Sequence, residues 1–174
     1  MRFADYPDFI PNLTPSQIFK RGAFGGTYWR PIYSSITKKH YKNQHKKKKL
    51  KKLFNGIPEE LLSSSICDKQ VNKYKVNAST SLRYWEKKGW IKAQDPYGWV
   101  QWYCMFYQGR RTPDDRRQID RWKRLAGPNG RFRKRLINMI KKKKMSYNDY
   151  TVSPKIRQTL LHWAYELKNK DLYQ

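Results

Sequence analysis

Arginines and carboxylates alternate in pairs in the run RRTPDDRR, residues 110–117. Guanidinium groups bind phosphate through paired N–H donors, and adjacent carboxylates can hold a divalent metal ion. A metal site would need further ligands, and the sequence supplies no third acid at a recognisable spacing. We therefore expect Asp114 and Asp115 to lie in the first turn of a helix, where they complement the helix dipole and pair with Arg117 or Arg121.

The same run opens a basic region. Residues 116–145 hold thirteen Lys or Arg against the single acid Asp120, and residues 38–52 hold nine lysines, in a chain of 174 residues with a net charge of +26. Charge of this density favours a phosphate-bearing partner, so DNA or RNA is the leading candidate. A lysine run is also typical of a solubilising segment or a localisation signal. The predicted phosphate contacts are Lys46, Lys47, Lys48, Lys49, Lys51, Lys52, Arg110, Arg111, Arg116, Arg117, Lys123, Arg124, Arg131, Lys134 and Arg135.

Aromatic residues concentrate in segment 95–111, DPYGWVQWYCMFYQGRR. If a helix opens at Asp95, its Trp and Phe side chains recur at helical spacing, which favours a buried core helix. The alternative is a platform on which unpaired bases stack. In that interpretation Tyr28, Trp29 and Trp102 remain exposed, with phosphates held by the arginines that follow the segment.

Three blocks of the sequence carry a resemblance to other proteins. GAFGGTYWRPIYSS, the stretch from TSLRYWEKKGW through DPYGWVQWYCMFYQGRRTPDDRRQIDRW to RLIN, and SPKIRQTLLHWAYEL together span about two thirds of the chain. They resemble an uncharacterised family of proteins from fungi, algae and large DNA viruses of eukaryotes. The resemblance implies no catalytic residue, because the family has no assigned activity. The lysine tracts at 46–52 and 141–144 are additions to the shared pattern.

Catalytic and cofactor signatures do not occur in the sequence. It has no phosphate-binding loop, dinucleotide-binding glycine motif, nucleophile elbow or paired-histidine zinc motif. Cys67 and Cys104 are too far apart for a recognisable metal-ligand pair, and we expect reduced thiols. His40 and His45 lie in the lysine run, and His162 has no partner evident from sequence. We expect no cofactor and no metal, and a non-enzymatic protein.

Prolines and glycines define the elements that would position these residues. Capping residues precede proline at Thr14-Pro15, Asp95-Pro96, Thr112-Pro113 and Ser153-Pro154, a pattern typical of helix N-termini. Residues 130–144 show apolar side chains on one face and cations on others, so a helix there can pack and present charge together. The last helix should dock through Ile156, Leu160 and Trp163.

These signals predict a mainly α fold: a compact single domain of about five to six helices, with an extended N-terminal arm and at most a small β-hairpin. Residues 1–37 would form the N-terminal arm and first helix, 38–55 a Lys-rich loop or tail, and 56–174 an aromatic-rich helical core. Within the loop or tail, Lys46 to Lys52 would become ordered on binding. The N-terminus MRFADYPDFI lacks the apolar region of a signal peptide, and no apolar stretch is long enough to span a bilayer.

The predicted function is binding of DNA or RNA through phosphate contacts with low sequence specificity, in the packaging or organisation of nucleic acid. Two alternatives stay open: a structural component of a large ribonucleoprotein or viral particle, with protein partners, and a nucleic-acid-processing enzyme whose site forms only in three dimensions. Each places the protein in the nucleus or cytoplasm of a eukaryotic host or in a viral particle. A membrane partner is not expected, because the amphipathic helices are needed for the core.

Overall fold

Helices make up most of the regular structure in the computed structural model, which describes residues 1–173. Strands β1 (Ile32–Ser34) and β2 (Lys39–Tyr41) form an antiparallel hairpin in which Tyr33 pairs with His40. The predicted mainly α fold with a small hairpin is confirmed. The helices are α1 (Pro15–Lys20), α2 (Lys48–Phe54), α3 (Leu82–Lys87), α4 (Trp99–Tyr107), α5 (Asp115–Ala126), α6 (Arg131–Lys143) and α7 (Pro154–His162).

Two of the four predicted proline starts are helix starts. Helix α1 begins at Pro15 with a capping box, in which the Thr14 hydroxyl accepts from the Gln17 N–H (3.1 Å) and the Gln17 side chain accepts from the Thr14 N–H (2.9 Å). Helix α7 begins at Pro154. Helix α5 begins two residues after Pro113, and the Asp115 carboxylate accepts from the Thr112 N–H at 2.8 Å, one of the two bonds of a capping box.

Helix α4 is the centre of the core, as the core interpretation predicted. It buries Trp99, Trp102, Tyr103 and Phe106. It begins at Trp99, not at Asp95, because Gly98 has φ 85° and ψ −149°, a conformation that only glycine adopts readily. A side chain at Gly98 would also collide with Ile91, whose Cδ1 lies 2.8 Å from the Cβ position.

The N-terminal residues are part of this core and do not form a separate arm. Phe9 is fully buried, and its ring contacts the rings of Trp102 (5.7 Å between centroids), Phe106 (5.5 Å) and Trp122 (5.2 Å). The Leu13 carbonyl accepts from the Tyr103 hydroxyl at 2.7 Å. An aromatic side chain with these contacts anchors the N-terminal segment on the core.

The lysine tract is a helix and not a loop or tail. Helix α2 buries Leu50 and Phe54, four residues apart, and packs against α1 and α4. The Phe54 ring meets the Phe19 ring edge to face at 5.2 Å. Two apolar residues at this spacing lie on one helix face, so the tract docks on the core while its lysines point to solvent.

Helices α5, α6 and α7 pack in sequence along the chain. Their buried residues include Ile119 and Trp122 on α5 and Leu136 and Ile140 on α6, the apolar sides that the sequence predicted. Helix α7 ends at His162, one residue before Trp163, and Leu167 beyond it is also buried. This packing leaves the opposite sides of α5 and α6 free to present cations.

Candidate functional site

The three rings predicted to stack on bases are buried. Trp29 and Trp102 have no exposed surface, and Tyr28 is 4% exposed. The Tyr28 hydroxyl donates to the Tyr97 carbonyl at 2.6 Å, and burial raises its pKa well above the ordinary value. Because base stacking needs an accessible ring face, the prediction that these residues form a platform is wrong. They belong to the core.

Two of the predicted cations hold carboxylates inside the fold. Arg110 pairs with both oxygens of the buried Asp95, at 2.8 and 2.5 Å, and so neutralises a charge that burial would otherwise make costly. Arg117 pairs with Asp114 on the same helix turn, at 2.5 and 2.8 Å. This is the local ion pair that the sequence predicted, and it orients the first turn of α5.

Three more predicted cations pair with the N-terminal segment. Arg111 pairs with Asp5, while Arg116 and Lys123 both contact Asp8, at 2.9 and 2.8 Å. The hydrogen bond from Lys123, followed by that from Arg116, lowers the pKa of Asp8. These pairs are partly exposed, so a polyanion can compete for the same cations.

The other predicted cations, apart from Lys46, form no ion pair with a carboxylate within residues 1–173, and each is exposed. Lys46 contacts Glu59 at 3.1 Å but keeps more than half of its side chain exposed. We call the five lysines between residues 47 and 52 the α2 face and the other four cations the α5–α6 face. The α2 face is Lys47, Lys48, Lys49, Lys51 and Lys52, and the α5–α6 face is Arg124, Arg131, Lys134 and Arg135.

An aromatic cleft of about 760 Å³, which was not predicted from the sequence, opens beside the α5–α6 face. The cleft runs between α3 with the turn after it, the facing sides of α5 and α6, and the end of α7. Nine of its lining residues are Phe, Tyr or Trp. The run RYWEKKGW contained the signal, because Tyr84 and Trp90 are large rings in a segment with few core residues, and both are exposed. The aromatic lining is Tyr84, Trp85, Trp90, Phe132 and Trp163, together with the buried core rings Phe24, Tyr28, Tyr97 and Trp99.

The charge of the cleft is positive. Arg121, Arg124 and Arg131 line it, and its lining includes no Asp or Glu. The Arg121 guanidinium lies 5.2 Å from the ring centre of Trp90 and 5.4 Å from that of Trp163. Burial, followed by the nearby charge of Arg117, lowers the pKa of Arg121 to about 10, so it is still a cation at neutral pH.

Two of the remaining reactive side chains, His162 and Cys104, are buried. His162 is buried and its ring stacks on Phe24 at 3.9 Å, while burial raises the pKa of the Cys104 thiol well above its ordinary value. Within residues 1–173, no group of three or more His, Cys, Asp or Glu side chains is arranged to hold a metal ion. Helices of the described chain are all too short or too polar to cross a bilayer.

Comparison of the chain with protein-family models, with curated proteins and with solved structures gives no match.

Proposed function

We propose that this protein binds nucleic acid, chiefly through phosphate contacts made by the α2 and α5–α6 faces. The observation that carries the proposal is the set of exposed cations on these faces, because they have no internal carboxylate while most of the chain's acids are engaged elsewhere. Unpaired cations on rigid helices attract phosphates and release the counterions condensed on them.

Low sequence specificity follows from the chemistry of the α2 face. A lysine ammonium group is a flexible point charge, which contacts phosphate oxygens without reading the pattern of a base edge. The arginines and lysine of the α5–α6 face lie beside the aromatic cleft and at the N-terminal half of α6. The protein would thus organise or package nucleic acid and act inside a cell or a viral particle, where that partner occurs.

The test is fluorescence anisotropy with labelled DNA and RNA, single- and double-stranded and of equal length, titrated across ionic strength. If ~8 phosphates are neutralised, the log–log salt slope on duplex DNA is near −7. Replacing the four cations of the α5–α6 face by Gln should reduce that slope to about −3.5, because each lost phosphate contact removes about 0.9.

A charge-matched control separates site from net charge. It replaces four exposed lysines on other elements by Gln, leaving both faces intact. The control should keep most of the slope, whereas equal loss in both variants would mean that only total charge matters and would overturn the assigned faces. Affinity no higher than that of a lysine peptide of equal charge would overturn the function itself. The control substitutions are K20Q, K155Q, K168Q and K170Q.

A further inference from the structure

The cleft offers ring faces from separate elements to one shared space. Tyr84 and Trp90 are 42% and 36% exposed, and their rings stand nearly perpendicular, 82° apart with centres 5.7 Å from each other. Trp163, partly exposed at the end of α7, packs on Trp99 with ring centres 4.7 Å apart. A volume of about 760 Å³ lies within the range of small-ligand pockets, roughly 300–1,000 Å³.

The cleft also contains a cation whose charge the protein does not pair. Arg121 forms no ion pair with a carboxylate within residues 1–173, and its Nη1 donates to the Gln118 side chain (3.0 Å) and the Trp90 carbonyl (3.4 Å). Arg124 and Arg131 add two further positive charges to the lining. A half-buried cation without a carboxylate partner, such as Arg121, favours an anionic ligand, because such a ligand supplies the missing counter-charge.

The fold fixes the position of the proton on the His162 ring, which lines the cleft. The His162 Nε2 lies 3.1 Å from the Phe24 N–H and 3.1 Å from the Gln158 side-chain nitrogen. Both neighbours are donors, so Nε2 accepts and the proton of the neutral ring is on Nδ1. Nδ1 has no hydrogen-bond partner within residues 1–173, and His162 lines the cleft.

We propose that the cleft binds an unpaired base of a single-stranded nucleic acid, which stacks on Trp90 and meets the perpendicular Tyr84 ring edge to face, while Arg124 and Arg131 contact the flanking phosphates. The inference rests on the proposed function and refines it. A nucleotide is the ligand class that combines a planar aromatic ring, acceptor atoms on its edge and a negative charge. Bases of an intact duplex are stacked on one another and cannot enter, so the cleft confers a preference for single strands.

The test compares single-stranded oligothymidine with a duplex of equal length, at one salt concentration, for wild type and two cleft variants. Tyr84→Ala and Trp90→Ala each remove an exposed ring, and circular dichroism checks that the fold is retained. Trp90→Ala should bind the single strand roughly 5- to 150-fold more weakly, the range for loss of one base–aromatic stack, and Tyr84→Ala should lose less affinity. Both variants should bind the duplex as wild type does.

Tyr33→Ala is the matched control, because Tyr33 is 48% exposed and lies on β1 outside the cleft lining. It should leave both affinities unchanged. The inference is overturned if the cleft variants bind single strands as tightly as wild type, or if Tyr33→Ala weakens single-strand binding as much as they do. It is also overturned if the cleft variants lose single-strand and duplex affinity equally.

A second titration separates this inference from the proposed function. Adenosine monophosphate is added to wild type and to Trp90→Ala in a calorimeter, so that no polymer and no phosphate chain takes part. Binding by wild type that is lost in the variant supports the base site even if neither polymer binds. Absence of heat in wild type, together with salt-dependent polymer binding that ignores strandedness, overturns the base site and leaves the phosphate faces in place.

Discussion

His162 is held as a neutral ring by its surroundings. Burial lowers its pKa to about 3, from an ordinary value of 6.5, and the N–H donors of Phe24 and Gln158 at Nε2 leave no place there for a second proton. In the unfolded chain the ring takes up a proton below about pH 6.5. The unfolded state then binds more protons than the folded state, so stability falls as the pH is lowered from 6.5 towards 3.

The effect of His162 on stability can be tested with a single substitution. Between pH 7 and pH 5, His162 should remove roughly 2 kcal/mol from the free energy of unfolding, at about 1.4 kcal/mol per pH unit below 6.5. His162→Gln keeps an acceptor near the Nε2 position but does not titrate, so its pH slope over this interval should be smaller by that amount. Urea denaturation at a series of pH values measures the slope.

Carboxylates are the same in wild type and in His162→Gln, so their contributions to the pH slope cancel in the comparison. Ion pairs lower the pKa of Asp8 and Glu59, and their contribution is lost only as the pH falls below the unfolded values near 4. His40→Gln is the control, because His40 is exposed on β2. A His162→Gln variant with the same slope as wild type would mean that the ring takes up its proton in the folded state as well.

At the scale of one element, α2 presents the sharpest question, because its seven residues are too few to be helical alone. Packing of Leu50 and Phe54 on the core must therefore stabilise this helix. The amides of residues 51–54, which close the helical hydrogen bonds, should therefore be protected from hydrogen exchange in the protein without nucleic acid. Leu50→Ala should abolish that protection, with a loss of about 2–5 kcal/mol in the docking energy.

Lys49→Ala provides the comparison, since Lys49 is exposed on the same helix and makes no ion pair within the described chain. Protection should persist in this variant. Hydrogen-exchange mass spectrometry on peptides that cover the tract gives the rates. Exchange at unfolded rates in wild type, slowed only when nucleic acid is added, would restore the loop that the lysine content predicted.

Two similar Pro-containing motifs show which elements can be predicted from the sequence and which cannot. Thr14-Pro15 predicts a helix start correctly because the capping box is completed within four residues. Asp95-Pro96 has the same local form but fails, since Gly98 and the distant Arg110 turn the segment differently. The cleft was out of reach for the same reason: whether Trp90 faces solvent or core depends on α5 and α7, which are far away in the chain.

At the scale of the whole molecule, charge opposes folding. Several acids form ion pairs within the protein and so do not offset the other cations: Asp5, Asp8, Asp95, Asp114 and Asp171. A net charge of +26 remains, and two cations 10 Å apart in water repel by about 0.4 kcal/mol. Many such pairs act at once in the compact state, and they are farther apart on average in the unfolded chain.

Added salt should therefore stabilise this protein, although it weakens surface ion pairs. Raising NaCl from about 0.05 to 0.5 M shortens the screening length several-fold, which suppresses the long-range repulsion more than the direct contacts. A gain on the order of 1 kcal/mol would raise the Tm by roughly 2–4 °C. Calorimetric melting in NaCl is the measurement, because sulfate would also strengthen apolar burial.

Replacing the five lysines of the α2 face by Gln should raise the Tm at low salt and flatten its salt dependence. If the Tm of wild type falls as NaCl rises, the internal ion pairs outweigh the repulsion. Nucleic acid would then compete with Asp5 for Arg111, and with Asp8 for Arg116 and Lys123.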